Sequence, residues 1–128
     1  LNRIEEMTLF LNPTKNSYKR LGKDKAPQYI SWSYQNRNQL IRIPATHSTN
    51  RIELRSPDCS CNIYLAYAFD LCGSWRDWKE IGNNSMYGCC DKWLKRLPQD
   101  LKEAKRKANE SEWLRDILGK DVVDIYVG

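Results

Sequence analysis

Three charged residues at alternate positions, Arg51, Glu53 and Arg55, stand within the run R-I-E-L-R-S-P-D at 51–58. In a strand, side chains two apart share a face, so the three project together while Ile52 and Leu54 pack behind them. A carboxylate between two guanidinium groups suits phosphate-and-metal chemistry: the acid holds a cation and the arginines neutralise phosphoryl oxygens. The plain alternative is a salt-bridged row on a solvent face, with Glu53 satisfied by its two neighbours. Other arginines precede the run: Arg20 in N-S-Y-K-R, Arg37 in N-R-N and Arg42 in I-R-I-P. Read alone, Arg20 is a loop charge and Arg37 pairs with a carboxylate in a turn. Arg42 lies between Ile41 and Ile43, an alternation that puts it on the polar face of a strand.

The elements that must position these groups are short. Residues 29–33 mix aromatic and β-branched types as a strand does, 36–38 make a turn, 39–43 form a second strand ended by Pro44, and 51–56 a third. Such short separations favour antiparallel neighbours, because a parallel return needs a crossover of about a dozen residues. Residues 4–11 read as a helix end or an apolar approach segment stopped by Asn12-Pro13, and 15–25 as a polar loop. After them, 62–71 has helical spacing, with Leu65 and Phe69 four apart. Residues 98–108 form a Lys-rich helix, and Ser111 caps another that Gly119 stops. Pattern alone leaves 121–127 as helix or strand. The expected fold is α+β: antiparallel strands over about 28–56, then helices over about 62–72, 98–109 and 111–126.

Composition sets the class. The 128 residues are 41% hydrophobic and 29% charged, enough for one modest core and unlike a disordered chain. The net charge of +5, with five Trp and seven Tyr, invites a nucleic-acid reading. The basic residues are spread along the chain, however, and no helix-turn-helix, zinc-finger or RNP-type pattern accompanies them, so no nucleic-acid partner is expected. No apolar run is long enough for a bilayer, and L-N-R-I-E-E carries acids where a secretory leader would be basic; no membrane association and a cytoplasmic location are expected. Five cysteines without a C-x-x-C pair, and a single His47, do not make a zinc site of normal spacing. Free thiols in a reducing compartment follow.

Several blocks, taken in order, carry a resemblance. N-P-T-K-N-S-Y-K-R-L at 12–21 precedes A-P at 26–27, N-R-N at 36–38, I-R-I-P at 41–44, R-I-E-L-R-S-P-D at 51–58 and N-I-Y-L-A at 62–66. In this order and at nearly these spacings they resemble the C-terminal part of the glutamine synthetase catalytic domain, closely over 9–68 and again over 97–126, where a helix is implied at the end. The resemblance implies that residues 1–128 are a piece of a longer ligase. That ligase would make glutamine from glutamate and ammonia with ATP, through γ-glutamyl phosphate, using Mg²⁺ or Mn²⁺. By motif, Arg20 and Arg55 resemble glutamate-binding arginines, and Arg37 the catalytic arginine that reaches the γ-phosphoryl group. Arg42 and Arg51 are similar to phosphate contacts on ATP, and Glu53 to a metal ligand.

The departures carry implications too. Lys25 stands where many members place a flap glutamate directly before A-P, with Asp24 beside it and the loop one residue shorter. A cation there repels ammonium and cannot act as a carboxylate base, so a γ-glutamyl ligase for another amine is an alternative. A non-catalytic remnant or assembly partner of a synthetase is another. The family's active sites lie between subunits of a homo-oligomer, and one carboxylate cannot hold a metal pair, so the isolated chain is expected to be inactive. Residues 70–92 depart from the family text. One codon assignment for 71–78 reads, after a one-base shift, Tyr-Ala-Gly-Ala-Gly-Gly-Ile, so an out-of-frame stretch and a lineage-specific loop both fit.

Overall fold

The computed structural model describes residues 1–45, 51–77 and 95–128, with backbone alone for 73–77. In chain order the elements are α1 (Ile4–Leu11), α2 (Lys15–Arg20), β1 (Trp32–Tyr34), β2 (Ile41–Ile43), β3 (Glu53–Leu54), α3 (Ile63–Asp77), α4 (Leu101–Asn109), α5 (Glu112–Leu118) and α6 (Lys120–Val127). The α+β class holds, and 121–127 is helical.

Helix α1 is the centre of the packing because its sequence is apolar almost all round: Ile4, Met7, Leu9, Phe10 and Leu11 are all buried. Thr8 fits the same interior by bonding its hydroxyl back to the Ile4 carbonyl at 2.6 Å. The helix stops at Asn12, whose φ of −138° and ψ of 72° satisfy the restriction that Pro13 imposes. Ala104 and Ala108, one turn apart on α4, are fully buried and let that helix approach α1 closely. Phe10 then meets Phe69 at 5.4 Å and Tyr126 at 4.6 Å between ring centroids, and Phe69 meets Trp113 at 6.2 Å. Four helices are thereby joined through aromatic edges and faces.

The ends of the C-terminal helices are satisfied locally. Asp100 accepts from the Glu103 amide at 2.7 Å, and Ser111 from the Leu114 amide at 3.1 Å. Gly119, at φ 82°, ends α5 and admits α6 at once.

Three expectations are corrected. Residues 15–25 begin with a helix rather than a loop. Thr14 and Ser17 cap α2 reciprocally, side chain to amide at 3.2 and 3.3 Å, and the polar composition is its solvated face. The sheet, ordered β1-β2-β3, is antiparallel only between β2 and β3, where Arg42 faces Glu53; β1 and β2 run parallel, with Trp32 opposite Ile41 and Tyr34 opposite Ile43. The crossover rule assumes strands of ordinary length. Strands this short span about 10 Å, which the connection 35–40 can retrace. Gln35 turns the chain back at φ 61°, its amide bonding to the Ile43 carbonyl at 2.9 Å. Helix α3 also runs on to Asp77, beyond the expected 72. The rest of the proposed out-of-frame stretch, 78–92, lies outside the described residues, as does His47.

Candidate active site

The sheet presents its charged residues as one connected set. Antiparallel pairing puts Arg42 opposite Glu53, and their side chains meet at 2.8 Å between Nη1 and Oε2. Arg51 reaches the other carboxylate oxygen, Nη2 to Oε1, at 3.3 Å. The Arg42 bond first, helped by Arg51, holds the Glu53 carboxyl below its usual range, against the opposing effect of partial burial. Arg42 also donates its Nε to the Gln35 carbonyl at 3.2 Å, so the residue that reverses the chain orients the guanidinium.

Arg55 lies one alternation further on, with its backbone amide bonded to the Leu40 carbonyl at 2.8 Å. Its Nη1 is buried and has no hydrogen-bond partner. Burial chiefly pulls the guanidinium below its ordinary value, and the charges of Arg42, Arg37 and Arg20 push the same way while Glu53 opposes them. Arg42, Arg37, Arg20 and Glu53 are thus near enough for their charges to act on Arg55. Arg51 is more than half exposed.

Arg20, at the end of α2, is anchored across the chain. Its Nη2 donates to the Ser56 carbonyl, to the Pro57 carbonyl at 3.2 Å and to Asn12 Oδ1 at 3.4 Å, while Nε faces Asp58 Oδ1 at 3.8 Å. Asp58 also accepts from Ser60 and, at 2.7 Å, from Ser17. The Ser60 bond first, then Ser17, the Cys59 amide and Arg20 hold its carboxyl below the usual range, against burial. Reading the sequence assigned nothing to Asp58, Ser17 or Asn12. The available signal was the acid three residues after Arg55.

Six sequence-derived residues therefore stand as follows. Arg42 and Arg51 both hold Glu53, Arg20 is anchored to residues 56–58, and the charges of Arg20, Arg37, Arg42 and Glu53 act on Arg55, with Arg37 exposed on its turn. Such a set suits an anion chemically: Arg20 and Arg42 are held by hydrogen bonds, and Arg55 has a donor to spare. A divalent ion fits less well. Both Glu53 oxygens are bound by arginines, and among the described residues no three His, Cys, Asp or Glu side chains gather to hold a metal. Glu53 could be one ligand of several at most. On the flap, Lys25 and Asp24 are both exposed.

Comparison with known proteins identifies the family and the fold. The family model "Glutamine synthetase, catalytic domain" matches residues 1–128. The glutamine synthetase of Methanosarcina mazei is 43% identical over 140 aligned positions, which take in 99% of this chain and 31% of that protein. That of Thermotoga maritima is 36% identical, over 99% of this chain and 32% of the relative. Among solved structures, apo GmaS without ligand superposes with a TM-score of 0.79 at 27% identity, over 98% of this chain and 30% of that one. A GmaS/ADP complex gives the same score at 25% identity. The chain thus spans about a third of the length of these relatives. It belongs to the glutamine synthetase catalytic-domain family.

Proposed function

We propose that this chain forms the anion-binding wall of a glutamine synthetase-type ligase site, with ATP, glutamate and ammonia as the substrates of the assembled enzyme. Arg20 and Arg55 grip the glutamate carboxylate; Arg37, Arg42 and Arg51 face the phosphates of ATP. Phosphoryl transfer to the side-chain carboxylate of glutamate gives γ-glutamyl phosphate and ADP; nitrogen then displaces inorganic phosphate to leave glutamine. Arg37 acts at the transferring phosphoryl group, where negative charge is redistributed among its oxygens. The family uses ATP with a divalent ion; Glu53 is the ligand this wall offers, and among the described residues no group of three His, Cys, Asp or Glu gathers to complete a site. In an oligomer, a neighbouring subunit supplies the facing wall. A cytoplasmic, reducing setting agrees with Cys59, Cys61 and Cys72 being free thiols.

The observation that carries this reading is the buried, unpaired Nη1 of Arg55 amid three further arginines. A donor left without a partner inside a cationic cluster is matched by an anionic ligand. A structural relative captured with ADP supports the nucleotide half. The test is a titration of the 128-residue chain with inorganic phosphate and with glutamate, following arginine side-chain N–H signals. Saturable shifts at Arg55 and Arg20, abolished in Arg55→Met, are expected; no response at either residue overturns the assignment. A second reading, transfer to a different amine, is favoured by the exposed Lys25 at the flap. Comparing ammonia with alkylamines as acceptors in a full-length relative carrying this flap separates the two.

A further inference from the structure

The turn that begins at Asp58 carries the run C-S-C at 59–61. The Cys61 amide donates to the Asp58 carbonyl at 3.0 Å, so Cys59 and Ser60 are the central residues of a four-residue turn. Inside such a turn, Cα atoms two apart come within about 5–6 Å, in the roughly 4.4–6.8 Å window of bridged cysteines. Cys59 Sγ donates to Asp58 Oδ1 at 3.9 Å. Asp58 and Cys59 are both near enough for their charges to act on Cys61, whose thiol is pushed up chiefly by burial and then by them. The two thiols differ in access: Cys59 is exposed and Cys61 half-buried, and neither is bridged. Cys72 stands about 14 Å further along α3 than Ile63, so 59 and 61 have the shorter reach to one another.

We propose that Cys59 and Cys61 are a reversible dithiol–disulfide pair, oxidised by small-molecule disulfides, whose closure shifts Asp58 and with it Arg20. The exposed Cys59 thiolate attacks one sulfur of the small disulfide, releasing one small thiol and leaving a mixed disulfide on Cys59. The Cys61 sulfur then attacks the Cys59 sulfur and displaces the second small thiol. Two protein thiols are thereby oxidised, and their two electrons and two protons leave with the small thiols. Partial burial suits Cys61 to the second step, since it hinders direct attack on an external disulfide while its neighbour stays within reach. A bridge across one intervening residue closes a very short loop and removes little chain entropy. Such an exposed bond responds to its surroundings rather than securing the fold. Its effect falls on Asp58, which accepts from Ser60 at 2.5 Å and from the Cys59 amide, and faces Arg20 Nε at 3.8 Å. Drawing 59 and 61 together reshapes the turn that supplies those two donors. The pairing does not rest on the ligase reading.

Equilibrating the 128-residue chain with graded mixtures of oxidised and reduced glutathione, then sequencing the peptide over 56–64 by mass spectrometry, tests it. The expected product is that peptide lighter by two hydrogens, following the glutathione ratio and restored by dithiothreitol. Cys61→Ser should stop with glutathione attached to Cys59, whereas Cys59→Ser should lose most of the adduct. In ¹H–¹⁵N spectra of the anion-free chain, oxidation should move the Arg20 side-chain Nε–H signal, and the variant with both cysteines changed to serine should show no such shift. Glutathione retained on Cys59 of the unaltered chain, a bridge from Cys59 to any other cysteine, or an Arg20 signal unmoved by oxidation would each overturn the proposal. Phosphate-induced shifts at Arg55, read on the reduced chain, report the anion site separately, so either assignment can fail without the other.

Discussion

The helical block and the sheet solve opposite problems with one chain. Around α1, α4, α5 and α6, side chains such as Phe10, Ala104, Leu114 and Val123 are fully enclosed, and the capping residues Asp100 and Ser111 have their partners. The other half retains buried polar atoms without hydrogen-bond partners: Asn12 Nδ2, Tyr18 Oη, Arg20 Nε, Gln39 Oε1, Arg55 Nη1 and Ser56 Oγ. All of them fall between residues 12 and 56, and none among the described residues of the C-terminal helices. Since an unmatched buried polar group opposes folding by about 1–3 kcal/mol, their concentration in one half marks where foreign atoms belong. One half completes itself; the other is built to be completed.

Substitutions in each half should therefore behave differently. The largest effect is expected from Phe10→Ala, which removes a ring touching two others and should destabilise the chain by about 3–5 kcal/mol in denaturant unfolding. A loss below about 1 kcal/mol would mean that the block is not the foundation of the fold. Ser111→Ala should cost about 1 kcal/mol, the usual worth of an N-cap, with the melting of α5 as its local sign. Arg55→Met sharpens the contrast, because it replaces an unmatched donor by an apolar chain of similar length. Stability should stay level or rise by about 1 kcal/mol while anion binding disappears. A destabilisation rivalling Phe10→Ala would move Arg55 into the self-sufficient half.

The smallest effect is one of pH. Glu53 and Asp58 both titrate below their usual values when folded, so each supports the fold above the unfolded carboxylate range. That support is lost as pH falls through the lowered values. Acidification below about pH 4 should broaden amide signals of 41–58 before those of α1 and α4. Simultaneous loss in both regions would contradict the division.

Much of the helical half was legible because its signals are local: Ser111 and Gly119 bracket α5, and the spacing of Leu65 and Phe69 marks α3. The alternation of Arg51, Glu53 and Arg55 anticipated the Arg51–Glu53 contact, but of the expected strand 51–56 only Glu53–Leu54 forms. Helix α2 was hidden because its cap pairs Thr14 with Ser17, lacking the usual Glu or Gln, and its body is polar. The parallel β1–β2 pair was hidden because strand length, on which the crossover rule depends, is not visible in residue type. The Asp58 network joins Ser17 and Arg20 from about 40 positions away, and no periodicity reports a meeting at that separation. Gln39 was unreadable for a related reason: an unfilled carbonyl is a property of surroundings.

Asp58 donates its backbone amide to the Leu11 carbonyl at 2.9 Å, beside the Asn12 that Arg20 touches. The last turn of the central helix and the floor under the arginines are thus one seam. Any repacking that tilts α1 will drag that floor, and with it the bearing of two guanidinium groups. Conservative changes at Met7 or Leu11, remote from any ligand, should consequently detune anion affinity without melting the chain, and a search for gain in this protein should begin at those interior positions.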